Sequence, residues 1–309
     1  MTPVTADIAL FIKLGKGGCW AHECLENGTL RFGYQEIPHA VCNLRDWPEI
    51  RRLAREFSAS DVAAANHTTQ IRHFYEADKT VLWITFHGDR LWWCFSSPEV
   101  EALQGNEKSR QVIRQWQDCD IGAVPLLKSR LSSKLLSVQG FMQTICTVSE
   151  LDYLLHKING TSEPHVARAQ TAFEDLQVAL IPIIKSLHQN DLEILTDLIF
   201  RQAGWMRVGV TGGTERDIDL DLISPVTNER IAVQVKSRAT PAIWNDYRER
   251  YADMRGFSRF YFVTHSPNVA LQKEALNAED KNYILWGVEQ LALQAARCGL
   301  TGWLLDKAS

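Results

Sequence analysis

The sequence predicts two domains. The first is an α+β N-terminal domain. The second is an α/β C-terminal domain with a mixed central sheet flanked by helices. Three observations carry this. The chain has 309 residues and a hydrophobic share of 45%, enough for two packed cores of ordinary size. The first half mixes short strands and short helices around a tryptophan-rich hairpin. The second half runs helix, three strands, helix, strand, helix, strand, helix, the order of a sheet covered on both faces. Gly160-Thr161-Ser162-Glu163-Pro164 is rich in turn formers and sets the boundary, giving domains 1–160 and 161–309.

In the first half, Ala6 to Leu14 reads as a strand. Gly15-Lys16-Gly17-Gly18 lacks the spacing of a phosphate loop and reads as a flexible loop. Leu30 to Tyr34 is a short strand. Trp47 to Phe57 is a helix, with Ile50, Leu53 and Phe57 at helical spacing. Val62 to Glu76 is a second helix, with Asp61 placed to cap it. Val81 to Phe95 is the clearest hairpin, turning at His87-Gly88-Asp89-Arg90. Val112 to Val124 is mixed. Leu127 to Leu136 is basic and polar, with Lys128, Arg130 and Lys134. Gly140 to Val148 reads as a further strand and Leu151 to Ile158 as a helix.

In the second half, Val166 to Leu187 reads as a long helix interrupted by Pro182. Asp191 to Phe200 is a helix carrying Glu193. Met206 to Val210 is strand-like, and Thr211-Gly212-Gly213 is a turn. After the acidic strand and its partner, Ala242 to Met254 is a helix, with Trp244, Tyr247 and Tyr251 at helical spacing. Arg259 to Thr264 is a buried strand, Val269 to Leu276 a helix, Tyr283 to Trp286 a strand and Val288 to Ala296 the last helix. Arg248, Arg250 and Arg255 are candidate phosphate contacts, weighed against a solvated helix face.

The chemistry concentrates between Asp217 and Lys236. Two alternating runs, Asp217 to Leu222 and Ile231 to Lys236, flank the turn formers Ser224-Pro225 and Thr227-Asn228. In a strand, side chains alternate between faces. Asp217, Asp219 and Asp221 therefore share one face of the first run, and Gln234 and Lys236 one face of the second. Folded as a hairpin, the runs gather carboxylates, an amide oxygen and an ammonium. Hard oxygens suit magnesium, which activates water and neutralises charge growing on a phosphate. A nearby lysine orients that water and stabilises the transition state. The competing reading is an amphipathic hairpin with a solvated charged face.

With its flanks, this stretch resembles the restriction-endonuclease-like superfamily of PD-(D/E)xK nucleases, and within it the Mrr-like branch, whose last motif is Q-x-K. The matching pieces are the helix with Glu193, the Gly204-Trp205 pair, the glycine-containing turn, Asp219 after Ile218, and Gln234-Val235-Lys236. The resemblance implies magnesium-dependent hydrolysis of DNA phosphodiester bonds, with manganese as a substitute. It implies Asp219 as metal ligand, Gln234 as second ligand, Lys236 as catalytic lysine and Glu193 as the helix carboxylate that completes the site. Mrr-like sequences often have glycines before the aspartate. Here Glu215-Arg216-Asp217 stand there, which leaves Asp217 and Asp221 as rivals or helpers of Asp219.

The first half is similar to the PUA-like superfamily of base readers, which includes the EVE and SRA types. The features that carry this are the tryptophan-rich hairpin and the strand-loop segment ending at Cys19-Trp20. The resemblance implies a β-barrel with an aromatic cage that holds a flipped, modified base. The candidates are Trp20, Tyr34, Trp83, Trp92 and Trp93, each weighed against core packing. Trp92 and Trp93 are neighbours on a strand, so they face opposite sides; one is expected in the core and the other exposed or in a pocket. A reader joined to a cutter resembles type IV, modification-dependent restriction enzymes, which act in antiviral defence on double-stranded DNA. Cutting both strands makes a homodimer the economical expectation. The alternatives are a repair or recombination nuclease, a catalytically silent nucleic-acid-binding protein, and RNA as the ligand of the first domain.

The net charge of −4 leaves the nucleic-acid question open, because a local basic groove suffices. The seven cysteines are scattered and odd in number, which argues against a disulfide framework. Cys19, His22, Cys24, His39 and Cys42 match no common zinc spacing and read as core residues and surface histidines. No stretch is apolar and long enough to cross a membrane, and the N-terminus lacks a signal-peptide pattern; the expectation is a cytoplasmic protein.

Overall fold

The alternating run from Leu82 to Ser96 folds as the expected hairpin, with Leu82 opposite Phe95 and His87 opposite Arg90. In the computed structural model, which describes residues 2–208, 218–271 and 282–308, this hairpin lies in the first of two units, Met1–Pro164 and His165–Ser309. Strands β1 (Ala9–Ile12), β2 (Thr29–Phe32), β3 (Leu82–His87), β4 (Arg90–Ser96), β5 (Glu101–Ala102), β6 (Lys108–Gln117) and β7 (Ile145–Thr147) form one mixed sheet. Its order is β2-β6-β4-β3-β1-β7, with β5 on β6. The path ends at β2 and β7; no pairing that would close a barrel joins them among the described strands.

Helices α1 (Ala21–Asn27), α2 (His39–Asn43), α3 (Trp47–Phe57), α4 (Asp61–Glu76), α5 (Ser133–Leu136) and α6 (Leu151–Ile158) complete the unit. One sheet face packs Ile12, Leu30 and Trp83 with Ile50 of α3 and Phe74 of α4. The other packs Phe11, Leu82 and Ile84 with Leu154 and Ile158 of α6. Both faces are thus covered, which explains the runs of consecutive apolar residues in β1 and β3. Two cations sit inside. Lys108 donates to the carbonyls of Tyr34 and Ile37. Arg110 donates to the carbonyls of Phe74, Ala77 and Ser97. Phe74 and Ala77 stand at the C-terminal end of α4, where a cation meets unpaired carbonyls and the negative end of the helix dipole.

Two local differences have simple causes. The cap of α4 is Ser60, whose side chain accepts from Ala63 N–H, while Asp61 opens the first turn and pairs with Arg55. Both types favour helix starts, and the extended backbone of Ser60 puts its oxygen in the capping position. Helices α1 and α2 are too short for apolar periodicity to reveal.

The second unit contains α7 (Pro164–Ser186), α8 (Gln189–Gln202), β8 (Met206–Arg207), β9 (Leu220–Ile223), β10 (Arg230–Ala239), α9 (Pro241–Asp253), β11 (Arg259–Pro267), β12 (Tyr283–Trp286), α10 (Val288–Arg297) and α11 (Thr301–Ala308). The sheet order is β12-β11-β10-β9-β8. β10, β11 and β12 run parallel, while β9 is antiparallel to β10 and β8 to β9. Leu180 of α7, Leu195 of α8 and Leu291 of α10 pack on Val233 and Val263 at one face. Trp244 and Tyr251 of α9 pack on Phe260 and Phe262 at the other. This is the expected mixed sheet between helices. Helix α7 continues through Pro182. The carbonyl that proline leaves without a donor belongs to Val178, an exposed residue where water can serve it. The turn at Thr211-Gly212-Gly213, Asp217 and the end of the helix expected over Val269 to Leu276 lie outside the described residues.

Candidate active site

β10 carries the site because a polar residue is buried among its apolar ones. Ile231, Val233 and Val235 pack into the cluster beneath α8. Gln234 points the other way and is only 2% exposed. A buried amide needs a partner, and Asp219 supplies it. Asp219 stands one residue before β9, and its own N–H donates to Val233 O at 3.0 Å. Its Oδ2 accepts from Val235 N–H at 2.7 Å and from the Gln234 Nε2 amide. Oδ1 takes no hydrogen bond among the described residues. Burial pushes the Asp219 carboxyl above its ordinary value, and the Glu193 charge pushes the same way; Val235 N–H, Lys236 and Gln234 pull it down.

Glu193 comes from the first half of α8, where a carboxylate meets the positive end of the helix dipole. Its Oε1 accepts from Gln189 Nε2 at 2.8 Å. The same Nε2 donates to Val235 O at 2.8 Å, and Gln189 Oε1 accepts from Ser237 N–H at 2.7 Å. Gln189 thus grips β10 on either side of Lys236 while it holds Glu193. Lys236 is half-buried, with its Nζ 5.6 Å from the Tyr247 ring centroid of α9, and it makes no ion pair among the described residues. The hairpin therefore brings together Asp219, just before β9, with Gln234 and Lys236 on β10, and Glu193 of α8 lies close enough to raise the Asp219 carboxyl.

The donor set fits a small divalent cation. Two carboxylates and an amide are hard oxygen donors, and the Glu193 charge that raises the Asp219 carboxyl marks a place where a cation is favoured. Among the described residues no three His, Cys, Asp or Glu side chains form a metal-holding group.

No protein-family model matches the chain, and no curated protein sequence matches it. Two solved structures show a distant similarity to this chain. One is described as the DNA modification-dependent restriction endonuclease AspBHI; the match is 12% identical, covers 91% of this chain and 80% of that one, and has a TM-score of 0.31. The other is described as MspJI restriction endonuclease in complex with a 27-mer oligonucleotide; it is 13% identical, covers 92% and 75%, and has a TM-score of 0.27.

The other candidates fall elsewhere. Asp221 is held by Arg230 in a two-pronged ion pair, with Nε to Oδ1 at 2.8 Å and Nη2 to Oδ2. Trp83 is fully buried, edge-on to Phe74 and beneath Arg110, so no base can reach its faces. Trp92 and Trp93 do face opposite sides. Both are half-buried, Trp92 against one sheet core and Trp93 against the other, so neither side of the strand is open. Trp93 Nε1 donates to Cys119 O at 2.9 Å. Tyr34 is half-buried and bonded through its hydroxyl to His67 Nδ1 at 2.7 Å. Trp20 is half-buried under the Arg31 guanidinium, 4.7 Å from the ring centroid. Of the cysteines and histidines weighed for zinc, Cys24 and Cys42 lie in the core, His22 pairs with Glu26 and His39 with Tyr75. Arg250 pairs with Asp246, and Arg248 stacks on Trp244 and Tyr283.

Sequence reasoning missed Gln189, because it began this helix at Asp191. His188 is the cap, with its side chain accepting from Asn190 N–H, and α8 starts at Gln189. The signal that finds Gln189 is its spacing of four from Glu193, which puts both on one helix face.

Proposed function

We propose that the second unit hydrolyses phosphodiester bonds of double-stranded DNA with a divalent metal, magnesium first and manganese as a substitute. We propose further that the first unit reads a modified base. The observation that carries the nuclease reading is the Asp219 carboxylate, buttressed by Gln234 and Val235 N–H and flanked by Glu193 and Lys236. In this reading Asp219, Glu193 and Gln234 hold the metal, which supplies Lewis-acid stabilisation of the phosphate and activation of water. The chain's own residues do the rest. Val235 N–H fixes Asp219 Oδ2, leaving Oδ1 for a ligand. Lys236, free of an ion pair among the described residues, orients the attacking water and meets the charge that grows on the phosphate oxygens. Its ammonium lies 5.6 Å from the Tyr247 ring centroid. Asp221, already matched by Arg230, takes no metal.

For the reader, the half-buried Trp20, Tyr34, Trp92 and Trp93 remain the aromatic candidates, and Trp83 is assigned to the core. The arrangement acts as a modification-dependent restriction enzyme, with a homodimer delivering the two cuts.

The test is metal-dependent cleavage of matched duplexes carrying cytosine, 5-methylcytosine, 5-hydroxymethylcytosine or N6-methyladenine, with Lys236→Ala beside the wild type. Cleavage of one modified duplex, abolished by Lys236→Ala, is the expected result. Equal cleavage of all would remove the reader and keep the nuclease. Cleavage that survives Lys236→Ala would remove the site. Binding with no cleavage would make the chain a binding protein.

A further inference from the structure

Helices α3 and α4 pack side by side in the first unit and leave a groove of about 700 Å³ between them. Arg51, Arg52 and Arg55 line it from α3, and Arg72 from α4, with Trp47 at the start of α3. All four arginines are exposed. Two of them are matched locally: Arg52 by Glu49 and Glu56, and Arg55 by Asp61. Arg51 and Arg72 make no ion pair among the described residues. The Arg72 guanidinium lies over the Trp47 ring, 5.0 Å from its centroid. Stacking holds the planar fork in place, and its N–H groups donate no hydrogen bond among the described residues. The hydroxyls of Thr68 and Thr69 donate to their own helix, to Ala64 O and Ala65 O. Guanidinium groups therefore dominate the groove's free hydrogen-bonding capacity.

We propose that this groove holds the phosphate backbone of duplex DNA. The proposal rests on DNA being the substrate, as argued above, and adds a contact surface that neither the cleavage site nor the aromatic candidates supply. The chemistry points to a row of phosphates. Arg51 and Arg55 stand four residues apart on α3, about 6 Å along its axis at the usual helical rise, and Arg72 lines the same groove from the other helix. The charges lie along a channel, and arginine forks match phosphate oxygens two at a time. Backbone contacts position a reader without reading sequence, which is the task a base-reading unit must perform first.

The experiment is fluorescence anisotropy of a labelled unmodified duplex in EDTA, so that nothing is cleaved, across a salt series. The full-length wild type is compared with Arg51→Ala/Arg72→Ala and with Arg51→Lys/Arg72→Lys. Each lost phosphate contact removes about 0.9 from the slope of log K against log salt. The alanine variant should lose a slope of about two and bind about tenfold or more weakly at low salt. The lysine variant should keep the slope, since charge is retained. An alanine variant with wild-type slope and affinity overturns the proposal. So does an effect seen on duplex RNA and absent on DNA. The two readings fail separately. Slope loss in a protein that cleaves nothing keeps the groove and sinks the nuclease. Lys236-dependent cleavage with an unchanged slope sinks the groove alone.

Discussion

Gln189 shows how much one side chain organises. Its amide bonds to Val235 O, Ser237 N–H and Glu193 at 2.7 to 2.8 Å. Partners of this kind usually matter by about 10- to 100-fold in metal affinity or activity. Gln189→Ala should lower kcat by that amount with KM for DNA little changed, and steady-state kinetics checks it. The two aspartates should separate as well. Asp219→Asn should abolish cleavage, whereas Asp221→Asn should keep most of it and lower stability by about 1 to 3 kcal/mol, because a hydrogen-bonded ion pair with Arg230 is lost. Activity and denaturant unfolding of both variants decide this. If Asp221→Asn is as dead as Asp219→Asn, Asp221 belongs to the metal site. Lys108 gives a pH prediction. Burial pulls its ammonium down from the ordinary 10.5 to about 8. Below about pH 8 it is charged in both folded and unfolded chains, and its contribution is flat. Above that the folded chain releases the proton first, so stability from this group rises with pH until the ordinary lysine value is passed. The stability difference between wild type and Lys108→Met should therefore grow in favour of the wild type over that window, by about 3 kcal/mol in all. A flat difference from pH 7 to 10 (measured by urea unfolding) would show that Lys108 titrates normally.

At the scale of elements, caps and hairpins carry the argument. Ser60 caps α4 through Ala63 N–H. Ser60→Ala should cost about 1 kcal/mol, while Asp61→Ala, away from the capping position, should cost less; thermal melts of the two variants rank them. The hairpin of β9 and β10 was legible from alternation, because burying Leu220, Leu222, Ile231 and Val233 on one face forces a single register. That register puts Asp219 beside Gln234 and Val235. The helix of Glu193 was legible from its apolar spacing, but its first turn was not, since polar Gln189 and Asn190 carry no periodic signal. Pro182 misled in the other direction. A proline near an exposed carbonyl does not end a helix, and exposure is not written in a proline.

At the scale of the whole chain, the described residues of each unit form apolar clusters of their own, two in 1–164 and two in 165–309. Each unit has its own core, so each should fold alone. Separately expressed 1–164 and 165–309 should show cooperative thermal unfolding by circular dichroism. A non-cooperative melt of either piece would show that its core is incomplete without the other.

The chain by itself determined the fold class of the second half, the pairing of its acidic strand with the Gln234-Val235-Lys236 strand, and a short list of candidate site residues. These follow from local rules: side-chain alternation, helical spacing and the chemistry of residue types. Tertiary structure alone decided what those rules do not reach. Arg230 occupies Asp221 and Val235 N–H buttresses Asp219. Gln189 bridges helix to strand, and Trp83 lies beneath Arg110. Trp92 and Trp93 each meet a core, because both sheet faces are covered. Arg51 and Arg72, which make no ion pair among the described residues, share one groove because α3 packs on α4. The physical reason is the same each time. Which partner a polar or aromatic group finds depends on packing between segments distant in sequence, and that packing is set by burial of the apolar faces, not by the polar residues themselves.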